Sequence, residues 1–352
     1  MMGRRDGAQI APSCTRDAPA VARVRAPGLL STVQDLGRTG YRRFGVIHSG
    51  AMDRVAAQVA NLLVGNHPAA AVLEMTLTGA ALHFEQEALI AVTGLGLATF
   101  VDGEPAPCWR PLYVAAGSTV SFHPLPQGCR TYLAVAGGWM VPLWLGSAST
   151  DIRAGFGGLA GRPLRAGDAL PIGCASERGL RILAALKSKR TRAPFAAPLW
   201  RVSWNALPRY EINPVIRVME GPQANAFTVD SQRAFFTSPF RVTPQSDRMG
   251  YRLDGPALSL SRPLEMLSEA VTAGTIQVPP DGRPIVLMAD SQTTGGYPQI
   301  AQVASVDLPR LAQLRPGQTM RFAPIGVREA QRLWRQQVQW LRCLTAAIQQ
   351  AF

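Results

Sequence analysis

The run TIQVPPDGRPIVLMA at residues 275–289 sets Pro-Asp-Gly between two β-rich segments. Asp-Gly tolerates the positive φ that tight hairpin turns require, so the pattern predicts two antiparallel strands. Short strand-like runs of the same kind recur at 21–26 (VARVRA), 112–122 (LYVAAGSTVSF), 129–137 (CRTYLAVAG) and 216–221 (IRVMEG). With 33 glycines and 28 prolines to punctuate them, they predict a mainly β fold, a sandwich or a barrel. The hairpin then opens into ADSQTTGGYP at 289–298, nearly all hydrogen-bonding side chains and bare backbone. A polar turn or a ligand loop would each explain that stretch.

A chain of 352 residues predicts about two domains, and 47% hydrophobic with 17% charged residues is ordinary globular composition. No apolar run reaches the ~20 residues needed to cross a bilayer, so no membrane role is expected. Residues 1–20 carry arginines but no apolar stretch, which predicts a loose extension rather than a secretory signal. The five cysteines are scattered, with no C-x-x-C pair, which fits reduced thiols and a cytoplasmic protein. The four histidines show no metal-ligand spacing, so no metal site is expected.

The net charge of +13 invites a nucleic-acid reading. Against it, the arginines are spread along the chain and the aromatics do not interleave with them as a stacking platform requires. The only concentrated basic run is KSKRTR at 187–192, and Lys187 and Lys189 are the only lysines. Neither has the methionine-flanked context of a biotinylated lysine, so biotin is not expected on this chain.

Two helices stand out. At 53–65 Asp53 can cap the first N–H groups, Val55, Val59, Leu62 and Leu63 form an apolar side, and Gly65 can end the helix. At 326–352 Trp334, Val338, Leu341, Leu344 and Ile348 recur at helical spacing, a packing stripe expected to dock on a barrel. A faint repeat links the halves: RTGYR (38–42) with RMGYR (248–252), LEM (73–75) with LEM (264–266), DGEP (102–105) with DGRP (281–284). GGW (137–139) pairs likewise with GGY (295–297), and LRAGD (164–168) with LRPGQ (314–318). The order is the same in both halves, which predicts related β-domains at 21–175 and 216–325 joined by a linker at 176–215.

Five segments combine glycine with charge beyond what core packing needs: QDLGRTGYR (34–42), HSGAMD (48–53), GSASTDIRAGFGG (146–158), SDRMGYR (246–252) and ADSQTTGGYP. Each offers an arginine fork, a carboxylate or exposed backbone N–H groups, which together suit an anionic or amide-bearing small molecule. There is no P-loop, no GxGxxG opening a helix after a strand, and no G-x-S-x-G elbow.

The long motifs from PGLLSTVQDLGRTGYRRFGVIHSGAMD through YLAVAGGWMVPLWLGSASTDIRAGFGG to SEAVTAGTIQVPPDGRPIVLMADSQTTGGYPQIA resemble the 5-oxoprolinase C subunit, whose family is also known as allophanate hydrolase subunit 2 or biotin-dependent carboxyltransferase. The resemblance runs from about Val21 to Phe322 and implies two tandem cyclophilin-like β-barrels with a few helices. It implies ATP-dependent opening of 5-oxo-L-proline to L-glutamate in a complex with homologues of the A and B subunits, with ATP and Mg in that complex. On this reading Arg248, Asp247 and Asp290 are the catalytic candidates. Substrate would be held by Arg38, Asp53, Arg153, Arg252, Gln277, Gln292, Thr293, Thr294, Gly295, Gly296 and Tyr297. Ser291 departs from the larger residue usual in the family, which bears on pocket size. Two alternatives follow from the same resemblance: carboxyl transfer from carboxybiotin on another chain to urea or another amide, and a regulator that binds a histidine kinase or its inhibitor.

Overall fold

A computed structural model describes residues 19–351, so the extension at 1–20 lies almost wholly outside the described residues. The chain is mainly β, and its two halves solve the edge problem differently. In the first half, six strands form one antiparallel sheet in the order Ala169–Ile172, Ala20–Ala26, Ala81–Phe84, Thr119–Pro124, Leu97–Val101 and Glu104–Ala106. Six more form a second sheet, Phe195–Ala196, Pro111–Val114, Ala88–Gly94, Arg130–Val135, Val72–Thr76 and Leu30–Gln34. Val24, Leu82 and Phe84 of the first sheet interdigitate with Ile90, Val92 and Leu133 of the second.

Strands Ala88–Gly94 and Arg130–Val135 are buried along their whole length. Their inner residues meet the opposing sheet, while Leu89, Ala91, Tyr132 and Ala134 face two helices. Burial on both sides is why LIAVT and TYLAV read as unbroken apolar runs rather than alternating ones. Helix α1, Arg54–Leu63, begins as expected at Asp53, whose carboxylate accepts from the Ala56 N–H at 2.9 Å. Helix α2, Glu177–Lys187, occupies much of the expected linker. Ile182 and Leu186, four residues apart, seat it on the sheet. Phe195–Ala196 then adds an edge strand beside Pro111–Val114, and the Trp204 ring meets Trp109 edge-on. Residues 176–215 are therefore a packed cover, because their apolar side chains have a sheet face to bury.

The second half closes into a seven-stranded barrel ordered Val215–Glu220, Gln299–Val303, Thr275–Gln277, Ile285–Leu287, Gly250–Asp254, Phe240–Val242 and Thr319–Pro324. The parallel pairing of Val215–Glu220 with Thr319–Pro324 completes the ring. The hairpin around Asp281-Gly282 is present, with Ile276 opposite Val286 and Gly282 at φ +72°. Helices α3, Val229–Thr237, and α4, Leu308–Ala312, pack on the barrel, and Phe235 stacks on Phe322 with ring centres 4.6 Å apart.

Helix α5, Val327–Ala351, docks by Ile348, with Leu341 and Leu344 half-buried, on the α1 side of the first half rather than against the barrel core. Trp334, at the other end of the same stripe, stays 52% exposed. Among the described residues no helix is long and apolar enough to cross a membrane. The thiols of Cys108, Cys129 and Cys343 are free, Cys174 is not a free thiol, and Cys14 lies outside the described residues.

Candidate active site

Arg248 follows the exposed turn of Ser246 and Asp247 and enters the molecule just before the strand Gly250–Asp254. Asp247 shapes that turn by accepting from the Met249 N–H at 2.7 Å and the Gly250 N–H at 3.2 Å. The Arg248 guanidinium then makes a bidentate pair with Asp290, Nε to Oδ2 at 2.7 Å and Nη2 to Oδ1 at 2.9 Å. Nη1 donates to Glu74 of the first half, and Nη2 to the Gly50 carbonyl at 2.7 Å. Asp290 also accepts from Ser49 Oγ at 2.9 Å. Burial by itself would favour the neutral guanidine, but the Asp290 and Glu74 carboxylates outweigh it and hold Arg248 charged. The expectation that this guanidinium faces a ligand is corrected accordingly. Its hydrogen bonds are divided between Asp290 of its own half and Glu74 and Gly50 of the other, so it joins the two halves.

A cleft of about 500 Å³ opens beside this cluster, between the halves. Its polar side carries Asp151, Arg153, Asp247, Asp290, Gln292 and Thr293, and its apolar side Leu30, Phe44, Val46, Ile47 and Phe156. Arg153 and Asp247 face each other across it at 3.8 Å, both largely exposed. Asp151 accepts from the Ala154 N–H at 3.0 Å and so fixes the bend that carries Arg153.

Beneath the 146–158 loop lies Arg38, only 1% exposed. Nη2 donates to the Ser149 carbonyl, and the guanidinium sits 4.6 Å from the centre of the Phe156 ring. Nε and Nη1 have no hydrogen-bond partner among the described residues. Burial lowers the Arg38 pKa, while Asp151, Asp35 and Asp290 pull it back up. A buried guanidinium with unpaired N–H groups is costly unless an acceptor arrives. Gly157 makes this arrangement possible: at φ +72°, a Cβ there would lie 2.1 Å from the Ser149 carbonyl oxygen and 2.5 Å from Arg38 Nη2. Asp35 organises the loop from the other side, accepting from the Gly37 N–H, the Ser147 and Ser149 hydroxyls and the Ala148 N–H.

Of the residues expected from sequence, the structure gathers Arg153, Asp247, Arg248, Asp290, Gln292 and Thr293 around one cleft, with Arg38 behind the Phe156 wall. The others are elsewhere. Asp53 is fully buried, accepting from Ala56 N–H, from Tyr210 Oη at 2.8 Å and from Gln313 Nε2 at 3.0 Å, so its carboxylate caps a helix and does not reach the cleft. Arg252 is exposed between buried Tyr251 and Leu253, because alternation along the strand turns it outward.

The expected Gly295–Gly296 nest does not form. Thr294–Gly295 pairs as a short strand with Glu269–Ala270, and a Cβ on Gly295 would meet the Gln277 amide at 2.4 Å. Gln277 is buried and donates to the Tyr297 carbonyl at 3.3 Å, while the Tyr297 ring is exposed. Thr294–Gly295 thus belongs to a two-stranded sheet outside the barrel, and Thr294, Gly295, Gly296 and Tyr297 do not line the cleft that Gln292 and Thr293 reach. Sequence reasoning missed Glu74, Ser49, Asp35, Asp151 and Phe156 as individual residues. The repeated LEM motif was the available signal for Glu74, since an acid inside an apolar strand needs a buried partner. Ser291 is buried, and its hydroxyl has no hydrogen-bond partner among the described residues.

A polar cleft with an apolar wall between two β-halves is the kind of place where small-molecule sites form. The family model for the carboxyltransferase domain, subdomain A and B, matches residues 44–324, and the chain belongs to that family. It is 40% identical over 305 residues to the 5-oxoprolinase C subunit of Haemophilus influenzae, covering 87% of this chain and 91% of that one. Against the 5-oxoprolinase C subunit of Escherichia coli it is 42% identical over 304 residues, covering 86% and 91%. The crystal structure of Kluyveromyces lactis urea carboxylase superposes with a TM-score of 0.83 at 30% identity, over 94% of this chain and 29% of that one. The K. lactis urea amidolyase structure gives a TM-score of 0.82 at 30% identity over 94% of this chain, which spans 20% of that protein.

Proposed function

We propose that the chain is the C subunit of an ATP-dependent 5-oxoprolinase, opening the lactam of 5-oxo-L-proline to L-glutamate together with homologues of the A and B subunits. The two relatives named as 5-oxoprolinase C subunits support this reading across 91% of their length. The observation that carries it on this chain is the buried Arg38 with two unpaired nitrogens behind a cleft of about 500 Å³.

A lactam is a poor electrophile. Phosphoryl transfer to its oxygen lets water add at the carbon. Cleavage of the C–N bond then leaves an acyl phosphate and a protonated amine, and a second water releases phosphate. Such chemistry is mostly positioning and charge stabilisation. Arg38 offers N–H groups to a substrate carboxylate or a phosphoryl oxygen, Gln292 offers an amide edge to the lactam, and Phe44, Ile47 and Phe156 shield the ring from water. Arg248 and Asp290 act as positioning residues, holding the two halves at the distance the cleft needs. Among the described residues no group of three or more His, Cys, Asp or Glu is placed to hold a metal ion.

Carboxyl transfer from carboxybiotin on another chain to urea or another amide is the second reading, favoured by the urea carboxylase superposition. Both readings take any biotin to be carried on another chain, in keeping with the lack of a methionine-flanked lysine here. Co-expression with the A and B homologues and an assay of glutamate release from 5-oxoproline tests the proposal. ATP-dependent release by the complex, absent from the isolated chain, is expected. A complete complex that leaves 5-oxoproline intact but takes a carboxyl group from carboxybiotin would hand the cleft to the second reading.

A further inference from the structure

Adding water to a phosphorylated lactam needs a group that takes a proton from the water and returns one to the ring nitrogen as the C–N bond breaks. Of the side chains lining the cleft of about 500 Å³, only Asp151, Asp247 and Asp290 can do this; the others are arginines, Gln292, Thr293 and apolar groups. None of the four histidines lines it. His48 lines a separate, larger cleft of about 710 Å³ between α1 and α5.

Two of the three aspartates are committed. Both oxygens of Asp290 accept from Arg248, and Oδ1 accepts from Ser49 as well. Taking up a proton there would break the pair that joins the halves. Asp247 is largely exposed, holds its own turn through the Met249 and Gly250 N–H groups, and faces Arg153 with Oδ2. A proton on it is open to exchange with bulk water. Asp151 differs in both respects. It is 5% exposed, Oδ1 accepts from the Ala154 N–H, and Oδ2 has no hydrogen-bond or ion-pair partner among the described residues. Its backbone is fixed on both sides, the N–H donating to the Phe156 carbonyl and the carbonyl accepting from the Gly155 N–H, each at 2.9 Å. The same turn carries the Phe156 ring that covers Arg38. Burial lowers the Arg38 pKa, and Asp151 is the strongest of the carboxylates that oppose it, so acid and open arginine lie near one another.

We propose that Asp151 is the catalytic base and acid of lactam opening, an assignment that rests on the reaction proposed above. Once ATP has phosphorylated the lactam oxygen, Asp151 Oδ2 takes a proton as the water oxygen bonds to the ring carbon. It passes that proton to the ring nitrogen, which also takes the electron pair of the breaking C–N bond. The second proton of the water follows as the acyl carbonyl forms. The products are an acyl phosphate and an ammonium group, and the carboxylate is restored. Low exposure keeps the proton on this route rather than losing it to solvent.

The test compares Asp151→Asn with Asp151→Ala in the complex reconstituted with the A and B homologues, supplied with ATP and 5-oxoproline. Asparagine keeps an oxygen for the Ala154 N–H but cannot take a proton, whereas alanine loses both functions. General acid–base catalysis is worth roughly 10²- to 10⁴-fold, so both variants should lose about 100-fold or more in kcat. The KM for 5-oxoproline should stay within about threefold, because the interaction is made in the transition state. Thermal unfolding of Asp151→Asn should match that of the unsubstituted chain. If Asp151 only shapes the turn, Asp151→Asn will recover the turnover that Asp151→Ala loses, and the assignment is overturned. A loss confined to KM also overturns it, since Asp151 would then only help Arg38 to hold the substrate. An unsubstituted complex that releases no glutamate fails the reaction and the assignment with it. An active complex in which Asp151→Asn turns over normally fails the assignment alone.

Discussion

Arg38 and Arg248 open the same five-residue pattern, RxGYR, one in each half of the chain, and the fold gives them opposite surroundings. Arg248 is held by two carboxylates and a carbonyl drawn from both halves. Arg38 is equally buried but has a carbonyl, an aromatic face and two nitrogens with nothing to donate to. Depth is therefore not what separates the two arginines. What separates them is whether the surrounding acceptors satisfy the fork.

That contrast predicts the largest effect at Arg248. Arg248→Ala leaves Glu74 and Asp290 buried without their cation and should destabilise the chain by about 3–5 kcal/mol. Arg248→Lys keeps the charge but loses the bidentate geometry and should recover only part of it. Denaturant unfolding measures both. Native stability in Arg248→Ala, with activity alone lost, would place Arg248 in the same class as Arg38.

Next in size is the pH dependence set by Asp53, the carboxylate that caps α1 and is joined to Gln313 of the other half. Burial holds its pKa up at about 6, against the hydrogen bonds from Ala56, Gln313 and Tyr210. The folded-state value lies above the unfolded one of about 3.9, so the stability contributed by this group is fully present below that pH and lost as the pH rises through about 6. The loss is on the order of 3 kcal/mol for a shift of this size. Asp53→Asn should flatten the stability profile across that window. An unchanged slope would mean that another group sets it.

Arg38→Met comes third and should reverse the Arg248 pattern. Removing a buried, partly unpaired guanidinium should change unfolding little, while the lost charge-assisted hydrogen bond to the ligand is worth about 1.5–3 kcal/mol, or roughly 10- to 150-fold in turnover of the reconstituted complex. A strong fall in stability with normal turnover would make Arg38 a second structural clamp. The smallest effect belongs to Thr294→Val. Thr294 lies on the short strand paired with Glu269–Ala270, away from both clefts, so turnover is expected to stay within about twofold. A severe loss would return the 294–297 segment to the site.

The short repeats were unequal guides to structure. The two Asp-Gly motifs at 102–105 and 281–284 both turn hairpins, and LRAGD and LRPGQ each lead into a strand, Ala169–Ile172 and Thr319–Pro324. Turns of this kind are local geometries fixed by a few residues. The two LEM motifs diverge: Glu74 lies in a central strand against Arg248, whereas Glu265 lies in an exposed loop. A three-residue apolar motif does not state what will stand opposite it.

The sequence by itself determined the mainly β class, the hairpin at Asp281-Gly282, helix α1 with its Asp53 cap, helix α5, and the membership of Arg248, Asp290, Gln292 and Thr293 in one polar constellation. Each depends on residues near one another in the chain, through turn chemistry, capping and periodicity. Only the tertiary structure decided that Asp53 and Gly295 serve the scaffold, that residues 176–215 cover a sheet, and that Arg248 clamps while Arg38 stands open. Whether a polar group is satisfied depends on acceptors that come from distant segments: Glu74 reaches Arg248 across 174 positions of sequence, and Ser149 reaches Arg38 across 111. Composition and spacing report which groups are present, while their pairing is set by packing.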